Sequence, residues 1–255
     1  MNIVKPPLGA LSLFGHPLSR GLVGLWPFNE GSGTFVNDMS GNGNTGTFIG
    51  TPVWVAGPNG LELDLEGTSS QISLANTIAL TYPYTIIVDL HPDNSGDMFL
   101  GDNTTASFLW FSNATTLNIR NTDSSADSFT IADCRTRSMW AVVSKTNLFT
   151  GMDIYRDGNY IVSGDNNLDH TNININRIGN GYNSDAFVFD GQIGFVSIYN
   201  RSLSASEIAQ LYREPFCMFE GDPIELWSAA TLGGAPPVGN AGIMTPWGGY
   251  WGPTY

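Results

Sequence analysis

Along most of the chain, apolar residues recur at every second position in short runs separated by Gly, Asn, Ser, Thr and Asp, the pattern of half-buried β-strands joined by tight turns. Leu22 to Phe28, Leu61 to Leu65, Ile72 to Leu74, Tyr84 to Leu90 and Met98 to Leu100 read as strands. So do Phe108 to Phe111, Leu117 to Arg120, Ser128 to Ile131, Met139 to Ser144, Met152 to Val162 and Ile173 to Gly179. The run from Met152 predicts a hairpin that folds back at Asp157-Gly158, because this dipeptide supplies the positive φ angles of a tight turn. Helical spacing is confined to one place near the end. Ser204 to Glu207 has the S-x-x-E form of a capping box, and Ile208, Leu211 and Tyr212 follow at helical spacing. Just before it, Ile193, Phe195, Ile198 and Tyr199 predict a buried strand. Together these features predict an all-β antiparallel sandwich with one short C-terminal helix.

Several of these stretches carry motifs as well as periodicity. Gly21-Leu22-Val23-Gly24-Leu25-Trp26-Pro27-Phe28-Asn29-Glu30-Gly31-Ser32-Gly33 is followed by Asp38-Met39-Ser40-Gly41-Asn42-Gly43-Asn44 and then by Thr51-Pro52-Val53-Trp54. Further on come Met139-Trp140-Ala141-Val142-Val143 and Tyr155-Arg156-Asp157-Gly158. The closing run from Phe189 through Ile198-Tyr199-Asn200-Arg201-Ser202-Leu203-Ser204 ends at Leu211-Tyr212. This set resembles the laminin-G-like jelly roll of the concanavalin A-like superfamily. The resemblance frames residues 21–213 as one jelly-roll unit, flanked by an extended N-terminal arm at 1–20 and a Pro/Gly/Trp-rich C-terminal arm at 214–255. Pro6, Pro7 and Pro17 keep the first arm from forming regular helix, and it is expected to lie on another surface.

Composition narrows the partners. Ten Lys and Arg against 23 Asp and Glu leave a formal net charge of -13, which disfavours nucleic acid and anionic membrane. No run of eighteen apolar residues occurs, and the first residues lack a basic region feeding an apolar core, so neither a membrane span nor a signal peptide is expected. Charged residues make up only 13% of the chain, and from Leu226 to Tyr255 no side chain is formally charged while Trp227, Trp247, Tyr250, Trp251 and Tyr255 add aromatic surface. A segment of that kind calls for cover by other protein. Cys134 and Cys217 are far apart without a C-x-x-C or a neighbouring His, so two reduced, buried thiols are expected in place of a disulfide or metal knot.

Candidate chemistry is sparse. His16, His91 and His170 fall in separate turns or arms, and no nucleophile elbow, phosphate loop or H-E-x-x-H is present. Glu62-Leu63-Asp64-Leu65-Glu66 alternates acidic and apolar residues and looks like the active strand of certain β-glucanases of the same superfamily, with Glu62 and Glu66 as the carboxylate pair. The laminin-G-like pattern instead has a plain apolar strand at this position. Family members often hold a structural calcium through a loop like Asp38 to Asn44 and an acidic pair in the closing strand, but that pair is Gly194-Phe195 here. Asp38 is therefore read as a turn former, with no catalytic, cofactor or metal residue assigned. A sugar site through exposed aromatics stays open, with Trp110 and Tyr182 as first candidates.

The pattern as a whole, with His16-Pro17-Leu18-Ser19-Arg20 leading in and Leu211-Tyr212-Arg213-Glu214-Pro215-Phe216-Cys217-Met218-Phe219 leading out, looks like proteins encoded among tailed-bacteriophage virion genes. The expectation is a non-enzymatic structural protein of the virion. It would decorate or cement the head shell, its arms gripping the major capsid protein or neighbouring copies of itself. The alternatives are a tail or fibre module that binds host surface glycan, and a β-glucanase-like hydrolase.

Overall fold

The computed structural model describes residues 5–7, 9–10, 15–104, 107–122, 126–145, 151–164, 172–181 and 187–219. The described residues belong to one compact unit. The C-terminal arm beyond Phe219 thus lies outside the described residues.

Two antiparallel sheets make the sandwich. The first contains β1 (Leu22–Trp26), β4 (Val53–Gly57), β5 (Gly60–Glu66), β7 (Thr85–Pro92), β12 (Ser138–Ser144), β13 (Met152–Arg156), β14 (Asn159–Gly164) and β16 (Asp190–Tyr199). Its order is β14-β13-β12-β7-β16-β5-β4, with β1 also pairing to β16. The second contains β2 (Phe35–Val36), β3 (Gly46–Ile49), β6 (Gln71–Leu80), β8 (Met98–Gly101), β9 (Phe108–Asn113), β10 (Thr116–Arg120), β11 (Ala126–Thr130) and β15 (Ile173–Ile178), in the order β11-β10-β9-β8-β15-β6-β3-β2. Sequence neighbours are often separated in space, as when β7 pairs with β12 on one side and β16 on the other. A simple meander would not give this order; a jelly roll does.

Alternation along the strands divides the apolar residues between two layers. Ile86 and Val88 of β7, Trp140 and Val142 of β12, and Ile193, Val196 and Ile198 of β16 point into the core between the sheets, where Trp26, Phe99 and Phe111 also lie. Their neighbours Ile87, Met139, Ala141, Phe195 and Tyr199 point the other way and form a second apolar cluster on the outer face of the first sheet. The helix α1 (Ala205–Arg213) covers this face through Ile208 and Leu211. Its capping box forms as the sequence predicts, with Ser204 and Glu207 each satisfying a backbone N–H of the first turn.

Both flanks of the jelly roll join this second cluster. Leu18, in a single 3-10 turn at Pro17–Ser19, is 1% exposed within it, and Phe216, Met218 and Phe219 enter from the other end. Arg201 holds the N-terminal flank by donating to the carbonyls of Arg20 at 2.7 Å and Pro17 at 3.2 Å. In their described residues, the flanks expected to reach another surface lie on this chain's own sandwich. The reason is that outer-face residues such as Ile87 and Phe195 leave an apolar strip that one short helix cannot cover.

Cys134 is buried, Cys217 is half-buried, and both are free thiols. The Asp157-Gly158 hairpin turn forms with φ of 52° and 77°.

Gly194 sits at an irregularity in the β16–β7 pairing, between Ile193 and Phe195. A Cβ there would lie 2.1 Å from Asp89 Oδ2. Gly194→Ala should therefore cost about 1–3 kcal/mol through overpacking, whereas Gly15→Ala, with open space around it, should stay within about 0.5 kcal/mol. Urea unfolding of the two variants beside the parent checks this pair.

Candidate functional site

The outer face of the first sheet is apolar at its helix end and charged toward β4 and β5. Glu62 leaves β5 on the face opposite to the core residues Leu63 and Leu65, as the alternation predicts, yet it is only 1% exposed. Two features bury it. Gly57, near the turn between β4 and β5, has no side chain, and a Cβ at that position would lie 1.9 Å from Glu62 Cδ. Arg137, just before β12, reaches over from 75 residues away and donates from Nη2 to Glu62 Oε2. The same guanidinium donates from Nη1 to Asp89 Oδ2 at 3.0 Å.

Lys5 supplies a second cation from the N-terminal flank. Its Nζ donates to the carbonyls of Gly194 at 2.7 Å, Phe28 at 3.4 Å and Leu61. Two cations and two carboxylates thus share a largely dry site, which is the condition for tolerating buried charge at all. Burial dominates their titration. It pushes Asp89 up to about 6 against the pull of Arg137, and brings Lys5 down to about 8 against the pull of Glu62.

Beside this cluster a cavity of about 390 Å³ opens between β12, the hairpin turn at Asp157, α1 and the β4–β5 turn. Asp89, Arg137 and Asp157 bring charged groups to its lining, and Met139, Phe195 and Tyr212 bring apolar surface. Asp157 is held firmly: its N–H donates to the Met139 carbonyl at 2.8 Å and its Oδ1 accepts from the Met139 N–H at 2.9 Å. Tyr212 packs over Gly158, where a Cβ would approach Tyr212 Cβ to 3.0 Å, and remains 43% exposed. Pro58 and Pro215 stiffen the rim.

The residues singled out from sequence are dispersed. Glu66 is exposed at the far end of β5 from Glu62, four residues on and roughly 13 Å along the strand. A carboxylate as enclosed as Glu62, with one oxygen in an ion pair, is poorly placed to attack or protonate a glycosidic bond. Trp110 lies within β9 on the outer face of the second sheet, packed edge-on to Phe108 at 4.8 Å, and is not a loop residue. Tyr182 lies outside the described residues, as does His170. Asp38 is a turn former whose carboxylate accepts from the N–H groups of Leu25, Ser40 and Asn44 at 2.9–3.0 Å. Among the described residues no three His, Cys, Asp or Glu converge as a metal would require. His16 caps the Leu18 N–H and His91 bonds Gln192, so the two serve separate local roles.

Sequence reasoning named neither Arg137, Asp89 nor Tyr212 as site residues. Their positions give no local motif. The one signal was Gly194 in place of the family's acidic residue, and here that glycine leaves room for Asp89.

Two antiparallel sheets in this order define a jelly-roll domain of the lectin type. Residues 66–209 match the profile of a laminin G family described as the concanavalin A-like lectin/glucanases superfamily, and the chain belongs to that family. No curated protein matches the sequence. Among solved structures, domain 4 of AbnA, a GH43 extracellular arabinanase from Geobacillus stearothermophilus in complex with arabinotriose, is similar over 75% of this chain and 98% of its own, with 20% identity and a TM-score of 0.57. The botulinum neurotoxin serotype G binding domain is similar over 75% of this chain and 50% of its own, at 16% identity and a TM-score of 0.57. A Trypanosoma rangeli sialidase in complex with sialic acid is similar over 75% of this chain and 32% of its own, at 16% identity and a TM-score of 0.53. The chain thus spans nearly all of the arabinanase domain and half or less of the other two.

Asp89 titrates above its ordinary value of 3.8, so the folded chain holds that proton more tightly than the unfolded chain between pH 4 and 6. The contribution of this group to stability is complete below about pH 4 and is lost as pH rises through about 6. The stability of the parent relative to Asp89→Asn should fall across that window by about 3 kcal/mol, the equivalent of about two pKa units. Denaturant unfolding at pH 4, 5, 6 and 7 measures it.

Proposed function

We propose that this chain is a non-catalytic carbohydrate-binding jelly roll whose glycan site is the cavity on the outer face of the first sheet. The observation that carries the reading is a cavity lining that combines the apolar surfaces of Met139, Phe195 and Tyr212 with the polar groups of Asp89, Arg137 and Asp157. A sugar ring needs the same combination, with a C–H face that packs on aromatics and a hydroxyl edge that hydrogen-bonds. Its volume is ample for one ring and part of a second. That similar domains were solved with arabinotriose and as part of a sialidase supports a sugar as the ligand class. The enclosure of Glu62 supports binding over hydrolysis.

A glycan array probed with the full chain should give saturable binding. Tyr212→Ala should weaken it at least about tenfold, about 1.4 kcal/mol, while Trp110→Ala leaves it unchanged. Loss with Trp110→Ala alone would move the site to the second sheet, and recovery of a cleaved oligosaccharide would overturn the non-catalytic reading.

A second reading, a structural place in a phage virion, is favoured by the sequence from Leu226 to Tyr255, which has no charged side chain and three Trp. In that role the C-terminal segment grips the capsid protein or a neighbouring copy, and the jelly roll faces outward with its glycan site free. Removing residues 226–255 should abolish incorporation into particles without changing glycan binding by the jelly roll. Undiminished incorporation would contradict the role.

A further inference from the structure

Taking the cavity as a glycan site, we infer that it is built for a neutral saccharide terminus and rejects one that carries a carboxylate. Recognition of a carboxylated sugar by arginine needs a guanidinium whose paired N–H donors are free to form a fork. Arg137 already commits two of its five N–H donors, and the balance of its charge, to carboxylates of this chain. Its Nη1 is held by Asp89 and its Nη2 by Glu62, and its side chain is 22% exposed. A ligand carboxylate that captured this guanidinium would leave Glu62, itself 1% exposed, without its partner.

The other charged residues of the lining are acidic. Asp89 and Asp157 line the cavity with carboxylates, and Lys5, the other nearby cation, has its Nζ donating to three main-chain carbonyls. These carboxylates accept hydrogen bonds, so they suit hydroxyl donors and repel a second anion. The Asp157 side chain already takes one backbone N–H on Oδ1 and has further lone pairs for a sugar hydroxyl. The net charge of -13 adds a long-range field of the same sign.

The test is a competition between matched probes: neutral oligosaccharides, and the same oligosaccharides extended by sialic acid or a uronic acid, titrated into the full chain by calorimetry at pH 7.5. Neutral members should bind at least tenfold tighter than their acidic counterparts. Asp157→Asn keeps the oxygen that accepts from Met139 and tolerates the positive φ of 52°, so it removes one wall charge with little disturbance. It should narrow the preference about threefold or more. Equal binding of both classes, or preference for the acidic one, overturns the inference while leaving the glycan reading intact. Absence of binding by every member of both classes overturns the glycan reading and the inference with it.

Discussion

A guanidinium drawn between two carboxylates on the outside of a β-sheet is the interaction on which the rest of this molecule depends. Arg137 spans from the start of β12 to Glu62 on β5 and Asp89 on β7, and so ties together strands far apart in sequence. Such a bridge survives out of water only when each charge has its counterpart. Three local features provide for it. Gly57 vacates space for Glu62, Gly194 vacates space for Asp89, and Lys5 brings a second positive charge to the same patch. Each of these residues would be unremarkable alone, and together they make one neutral, nearly dry ion cluster.

The bridge also sets what the outer face can do. Toward the helix, that face is covered by Ile208, Leu211, Phe216 and Met218. Toward β4 and β5 it is closed by the ion cluster and Lys5. The cavity lies between these two coverings, and its lining accordingly draws apolar and charged residues together. A site made in this way offers carboxylate acceptors beside ring surface, and its guanidinium already faces two carboxylates of this chain, a combination suited to holding a polyhydroxylated ligand.

The fold was legible because it is written in local patterns. Alternation gave most of the strands, though not β2, β3 or the second half of β6, Asp157-Gly158 gave a hairpin, and Ser204-x-x-Glu207 gave the helix start to the residue. The face of Glu62 was legible too, since period-two alternation places it opposite Leu63. Its burial was not, because that comes from Arg137, 75 residues on, and from a glycine at position 57. The prolines near the start correctly spoke against long helix but carried no information on where Leu18 and Lys5 would lie. The cavity draws on residues from Pro58 to Pro215, and no single window of sequence contains enough of them to announce a site. Trp110 drew notice as a loop-adjacent aromatic, although its mid-strand position serves packing with Phe108 equally well.

If one bridge organises the outer face, Glu62 and Arg137 must be energetically coupled through it. The direct measurement is a double-mutant cycle, with Glu62→Gln, Arg137→Met and the pair compared by urea unfolding at pH 7.5. Each single change should cost about 3–5 kcal/mol by stranding the other group. The double variant should recover about 2–3 kcal/mol of the summed loss. Costs that simply add would mean the two residues stabilise the chain independently, and the outer face would have some other organiser.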